Sequence, residues 1–419
     1  MTAIVTKSRS ETPARWLPVM LIALAFSILT GYSTFTHEMW LDEMQAWLIA
    51  TDTSFSELFG ALHYEAHPGA WHLLLRLASL IAPAPETMQV LHWLIAVAAV
   101  LLFCLFAPFT LTEKLLLVLG YYQGYEYSVI SRNYGPGWFF LVLALIFYTR
   151  QRYIPAALSA FVMVHCNVFV WIIALAFLFA QFALAIAGRI LQKLPPQTLR
   201  PSTYAALAIV ALGLATSFYS MYPAADYGFY LFAEHQHNIR PVLFSIGWAF
   251  VPAVDPTIWF AKLNWYHHLP SDAVSLLLSL AICVWIYRVF VTDFRSGLFF
   301  AIAATGLLLF FLIFYTGQVR HHGHLFLAFL AAFWLKRMGE NPAERERVSV
   351  VHAVFLILLG LQFLQGLAAH LDEFRHPFSQ GKQAAAFLRQ DSYRNSLLVA
   401  DPDYAAVTIS GYLGKKIYS

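Results

Sequence analysis

Two adjacent carboxylates, Asp42 and Glu43, close the string Phe35-Thr36-His37-Glu38-Met39-Trp40-Leu41-Asp42-Glu43, directly after the first long apolar run. A carboxylate with an ordinary pKa near ~4 is ionised at neutral pH and ready to take a proton from a hydroxyl. Asp42 is the candidate base, and Glu43 is placed either to orient it or to hold a metal ion. An acid pair at the end of an apolar run is, by itself, more often a solvated loop. The pair gains weight from other polar landmarks. In Tyr64-Glu65-Ala66-His67-Pro68-Gly69-Ala70-Trp71-His72, Pro68 suits the first turn of a helix and leaves His67 to face a ligand. Glu126 and Arg132 stand close together in Glu126-Tyr127-Ser128-Val129-Ile130-Ser131-Arg132. Their bland reading is a mutual ion pair worth ~0–1 kcal/mol. Their functional reading is a carboxylate beside a guanidinium whose planar fork grips a phosphate. Arg320 and His321 belong to Gln318-Val319-Arg320-His321-His322-Gly323-His324, a basic cluster at the mouth of another apolar run.

The elements that must position these groups are membrane helices. Of 419 residues, 60% are hydrophobic and 12% are charged, about half the charged fraction of a soluble domain. Apolar runs of about 20 residues, the length that crosses a bilayer core as helix, recur from end to end. The net charge of +3 gives no argument for nucleic acid as a partner. Met1 to Arg15 is polar and basic, and the long run after it lacks a small-residue cleavage site, so it is expected to be a retained first helix. Cys104, Cys166 and Cys283 lie in apolar runs without pairing or metal spacing and are expected to be buried apolar fillers.

Basic residues near helix ends favour the cytoplasm. Lys7, Arg9 and Arg15, then Lys114, Arg150 and Arg152, Arg189, Lys193 and Arg200, Arg288 and Arg295, and the cluster from Lys336 to Arg347 fall at alternate ends of the runs. That alternation predicts an all-α polytopic bundle of about eleven spans, near 16–35, 88–109, 115–126, 136–150, 154–166, 168–188, 203–221, 273–291, 297–316, 322–337 and 348–368. Asp42, His67, Glu126, Arg132 and Arg320 then share the extracytoplasmic face. The first external loop, about 36–87, is expected to carry an interfacial helix over 69–82. A third loop, about 222–272, is rich in aromatic and basic residues, including Tyr230, His235, His237, Arg240, Trp259, Lys262, Trp265, His267 and His268. Its aromatics suit an interfacial belt. His235 and His237 are candidate zinc ligands by spacing. His165 and Asn167, at a span boundary, are expected to pack. Residues 1–368 form the transmembrane domain. Residues 369–419 are expected to form a small external α/β cap, with a helix over 382–389 and a strand over 396–400.

The order of these motifs resembles the GT-C superfamily of integral membrane glycosyltransferases, in its protein-mannosyltransferase and aminoarabinose-transferase-like branch. The resemblance covers roughly residues 16–340 and rests on Trp40-Leu41-Asp42-Glu43, on His67-Pro68-Gly69-Ala70-Trp71-His72-Leu73-Leu74-Leu75-Arg76-Leu77, and on Tyr125-Glu126-Tyr127 with Ser131-Arg132-Asn133-Tyr134. It implies an inverting transfer of sugar from a polyprenyl-phosphate donor to an extracytoplasmic lipid, glycan or protein, at a bacterial inner or plasma membrane. It implies catalytic roles for Asp42, Glu43 and Glu126, and phosphate binding by Arg132, Arg320, His67 and His321. A divalent metal is a candidate cofactor at Glu43, His67, His235 and His237. The chain departs from the family in carrying Gly69 where a second proline is usual, and His321-His322 where Arg followed by an aromatic is common. Two rival readings are a flippase or transporter of polyprenyl-linked glycans and a non-catalytic scaffold of a polysaccharide complex. A transporter would place charges at mid-membrane or on repeated halves. A scaffold would not bring the acids and arginines together.

Overall fold

A computed structural model describes residues 16–192, 200–226, 239–252, 271–341 and 349–418. The basic N-terminal segment, Lys193, His235, His237, Trp259, Lys262, Trp265, His267, His268 and Arg345 and Arg347 lie outside the described residues, as does Tyr230. The described residues fold as helices joined by short turns. Seven of these helices are long and apolar enough to cross a membrane: α1 (Trp16–Thr36), α5 (Glu86–Phe106), α9 (Val168–Gln192), α10 (Pro201–Met221), α12 (Asp272–Phe290), α13 (Phe294–Ile313) and α15 (Val350–Arg375). The chain is a polytopic helical membrane protein. Along these seven helices, apolar side chains such as Leu21, Ile28, Phe182, Leu277 and Ile357 face outward, and so does Cys283 on α12, which is exposed where Cys104 and Cys166 are buried. This is the surface a lipid-facing helix needs, because hydrocarbon offers no hydrogen-bond partner.

Between the long helices lie shorter ones. Tyr134–Thr149 (α7) and Tyr153–Val164 (α8) are apolar but fall below spanning length. The expected span near 115–126 is instead broken. Thr110 accepts a hydrogen bond from the Glu113 N–H and starts α6 (Leu111–Val118), which stops before Gly120 and gives way to a π-helical turn, Tyr121–Glu126. Such turns change the direction of side chains within a helix and favour functional positions. The expected span near 322–337 is longer at its start. Helix α14 (Val319–Met338) already includes Arg320, His321, His322 and His324, so these residues are its buried first turns rather than a solvated loop. Gly323 allows this packing: a Cβ there would lie 2.3 Å from both a Tyr122 ring carbon and the Tyr127 hydroxyl. α14 is buried along nearly its whole length and forms the axis of the bundle. The expected third loop contains a helix of its own, α11 (Arg240–Phe250), which packs on α12 and α14.

The segment after α1 builds three short helices, α2 (Leu41–Asp52), α3 (Phe55–Ala61) and α4 (Ala70–Ser79). The helix expected over 69–82 is therefore α4, begun by Gly69 as its N-cap rather than by Pro68 in its first turn. Residue 69 lies against Leu62, whose Cδ1 would be 2.4 Å from an added Cβ, and a larger residue there would have to move this buried leucine. At the C-terminus, α15 runs on to Arg375, past the expected boundary at 368. Helices α16 (Gly381–Leu388) and α17 (Val407–Leu413) follow. The strand expected over 396–400 contributes a single parallel bridge, Val399 to Tyr418, and no strand is present among the described residues. The cap is thus helical and packs on α2: Tyr412 accepts a hydrogen bond from the Met39 N–H at 2.7 Å, and Phe378 lies 4.6 Å from the His37 ring.

Candidate functional site

Trp40 is extended and opens α2, so Asp42 and Glu43 fall in its first turn. The partial positive charge of a helix N-terminus favours carboxylates there. Successive residues on a helix point ~100° apart, and the two acids separate accordingly. Glu43 turns inward and is fully buried. Its Oε1 accepts from the Ser131 N–H at 2.6 Å, and its Oε2 accepts from the Trp40 N–H at 3.1 Å and contacts His37 Nε2 at 2.8 Å. His37 Nδ1 reaches Glu373 Oε1 at 3.1 Å, and the other oxygen of Glu373 accepts from the Tyr125 hydroxyl at 2.6 Å. Burial works to lower the pKa of His37, but the flanking carboxylates of Glu43 and Glu373 outweigh it and push it up to about 10. The ring is an imidazolium that ties the start of α2 to α15. Glu43 is therefore a structural anchor for the segment that carries Arg132, with both oxygens already engaged.

Asp42 faces the other way and keeps 26% of its side chain exposed. Its Oδ2 pairs with Arg132 Nη1 and lies 3.5 Å from Arg320 Nη2. Burial acts to raise the pKa of this carboxyl. The charges of Arg132 and then Arg320 outweigh that effect and hold it below the ordinary carboxylate value. Arg132 lies half-buried over the Tyr134 ring at 5.5 Å, and Arg320 lies buried over the Trp40 ring at 5.4 Å. The Tyr127 hydroxyl donates to the Arg320 carbonyl at 2.7 Å and fixes the first turn of α14. Residues far apart in the chain, 42, 132 and 320, thus meet at one carboxylate oxygen. The expected pair between Glu126 and Arg132 does not form. Glu126 is buried in the π-helical turn and accepts from the Tyr121 hydroxyl at 2.7 Å.

Two histidines expected at the site lie beside it. His67 faces Tyr134 and Phe169 at 6.2 and 6.5 Å. Burial, and next the charge of Arg132, lower its pKa to about 3, so it is a neutral imidazole at neutral pH. Its Nδ1 is buried without a hydrogen-bond partner. The residue before it, Ala66, has φ +53°, a left-handed conformation that costs a non-glycine residue about 1 kcal/mol or more. His321 accepts a hydrogen bond from the Gln318 N–H at 2.9 Å through Nδ1, which places its proton on Nε2. Its ring packs against Tyr134, Tyr315 and Phe169 at 5.9, 5.0 and 5.2 Å. His165 and Asn167 pack as expected. Asn167 Oδ1 accepts from the Phe169 and Val170 N–H groups, and His165 contacts the Thr216 hydroxyl.

Among the described residues, no group of three or more His, Cys, Asp or Glu side chains is placed to hold a metal ion. His235 and His237 fall outside those residues, and Glu43 is committed to its own donors.

Several groups at the site are not among the candidate site residues read from the sequence above. Glu65 lies near Asp42 because Gln45, one turn further along α2, donates to it at 2.7 Å. Burial, aided by the negative charge of Asp42, raises its pKa. His37 stands inside the motif that contains Asp42 and is found by proximity. Tyr125 stands in the motif around Glu126, whereas Glu373 is found only through the packing of α15 on the π-helical turn. No protein-family model matches this chain, and no curated protein matches it either.

Proposed function

We propose that the chain is an inverting glycosyltransferase of GT-C type, with about eleven membrane passes counting the shorter helices. It moves a sugar from a polyprenyl-phosphate donor to an envelope lipid, glycan or protein at the outer face of a bacterial inner membrane. One observation carries this reading: the carboxylate of Asp42 sits between the guanidiniums of Arg132 and Arg320.

Glycosyl transfer passes through an oxocarbenium-like state. The bond from the anomeric carbon to the phosphate oxygen breaks, and its electron pair leaves with the phosphate. The acceptor hydroxyl attacks from the opposite face and gives its proton to a base. Phosphate is a good leaving group, so no general acid is required, and positive charge beside it lowers the barrier. Arg132 and Arg320 supply two such charges, and the N–H on His321 Nε2 adds a neutral donor. Asp42 is the base. The Glu43 network holds the segment that carries Arg132, and Tyr127 holds the start of α14. The same convergence is not required of a scaffold, and the position of these groups at the start of α14 differs from the mid-membrane charges of a transporter.

The test is to offer the purified protein polyprenyl-phosphate sugars together with envelope lipids, glycans or peptides, with Asp42→Asn as control. Sugar consumption that disappears in the variant is the expected result. Unchanged consumption in the variant removes Asp42 from the chemistry, and saturable lipid binding without turnover favours the flippase.

A further inference from the structure

In this structure Asp42 holds the two groups that a leaving phosphate would need. Its Oδ2 is shared by Arg132 Nη1 and Arg320 Nη2, while the rest of the side chain remains a quarter exposed. The two guanidiniums are held from behind: the backbone at Ser131 is bonded to Glu43, the backbone at Arg320 is bonded to Tyr127, and each guanidinium lies over an aromatic ring. Asp42 is attached less firmly. It hangs from the first turn of a short helix by two bonds and presents only one oxygen to the cations. A phosphate that takes the arginines takes them from Asp42.

We propose that Asp42 competes with the phosphate headgroup for Arg132 and Arg320, so that it weakens donor binding and expels the phosphate product. The proposal rests on the transferase reading for the identity of the lipid. A bound headgroup displaces the carboxylate from the guanidiniums and leaves it beside the reacting centre as an unpaired base. The acceptor proton then moves to Asp42 as the acceptor oxygen bonds the anomeric carbon. The sugar–phosphate bond breaks with its electrons on phosphate. The neutral acid no longer competes for the arginines, and the phosphomonoester, now carrying more negative charge than the donor's diester, stays bound. Loss of the proton from Asp42 to water restores the carboxylate, which takes back the arginines and releases the product. A single side chain thereby ties base activation to donor binding and product release to proton release.

The consequence is the opposite of what loss of a binding-site residue usually brings. Asp42→Asn keeps the shape of the side chain and removes the competing charge. A short-chain polyprenyl phosphate is titrated into the full-length protein in nanodiscs at fixed salt, with inorganic phosphate in parallel. Asp42→Asn is expected to bind polyprenyl phosphate about tenfold tighter or more, with slower dissociation, since ~1.4 kcal/mol of relieved competition is a factor of ten. Asp42→Glu, which keeps the charge, is expected to stay near wild type. Asp42→Ser carries the same test if the asparagine variant does not fold. Equal or weaker lipid binding in the neutral variants overturns the proposal, as does tightening seen with inorganic phosphate but not with the lipid. Tighter lipid binding without any sugar transfer by the wild type keeps the competition and discards the transferase. Transfer with unaltered phosphate affinity does the reverse.

Discussion

The two ends of α14 each carry an arginine paired with a carboxylate, and they differ in every respect that separates a structural ion pair from a reactive one. Arg337, near the C-terminal end, meets Glu113 in a bidentate pair, both bonds 2.7 Å, with neither side chain more than 4% exposed. Glu113 also caps α6 through the Thr110 N–H at 2.7 Å, and Arg337 lies over the rings of Phe333 and Phe109 at 4.5 and 5.4 Å. His352 Nδ1 also approaches this carboxylate, at 3.5 Å, so both of its oxygens are engaged away from solvent. Arg320, ~25 Å away along the helix, shares a single oxygen of Asp42 with Arg132, and that carboxylate reaches solvent. There, two guanidiniums converge on one carboxylate oxygen. A matched, dry pair has nothing to offer a ligand. Two guanidiniums gathered at one accessible carboxylate are what the proposed transfer would use, as a seat for phosphate and a base beside it.

The comparison breaks first at Asp42. Asp42→Asn should reduce transfer about 10²–10⁴-fold, the usual contribution of a general base, while thermal unfolding in detergent still shows a folded protein. At the other end, Glu113→Ala should cost stability instead, about 3–5 kcal/mol for stranding a buried guanidinium. Denaturation would reveal it, and the donor KM of the protein that remains folded should match wild type. A large change in donor KM would erase the distinction between the two ends. Arg320→Lys should weaken donor binding about tenfold, because an ammonium keeps the charge but loses the planar fork, whereas acceptor KM should hold. The cap gives a smaller effect. Gly411→Val places a side chain on Met44, whose Sδ would be 2.0 Å from the new Cβ. Overpacking of this kind costs about 1–3 kcal/mol and should lower the unfolding temperature.

A pH titration sharpens the same contrast. The pKa of His37 is raised to about 10 from an ordinary value near ~6.5. Its stabilising contribution is therefore complete below ~6.5 and is lost as pH rises through about 10. Wild-type unfolding temperature should fall over that alkaline window, and His37→Gln should flatten the fall while starting from a lower value. An unchanged slope in the variant would show that His37 is not the titrating group.

Much of this site is legible in the sequence because its residues sit at the ends of apolar runs. Asp42, Arg132 and Arg320 each interrupt a hydrophobic pattern where a charge is costly, and membrane proteins retain such charges for a reason. The basic cluster at Arg320 stands ahead of the apolar run over 322–337 because helix α14 has polar first turns. Its burial comes from neighbours, Tyr122 and Tyr127 against Gly323, that no periodicity encodes. The expected strand over 396–400 failed for a related reason. A short apolar run with a turn after it suits a strand, yet among the described residues only Tyr418 bridges to it.

The sequence by itself determined that this is a polytopic helical membrane protein and where its long apolar helices run. Hydrophobic run length and helix-end charge are local properties, and the bilayer acts on them directly. Tertiary structure decided the division of labour. Asp42 and Glu43 are neighbours of nearly identical chemistry, and only the packing of α2 turns one into a buried anchor and the other toward two arginines. Glu126 and Arg132, close in sequence, find different partners, while Glu373 joins the site's support from the far end of the chain. Which charges pair depends on which are desolvated together, and that is fixed by how the helices pack.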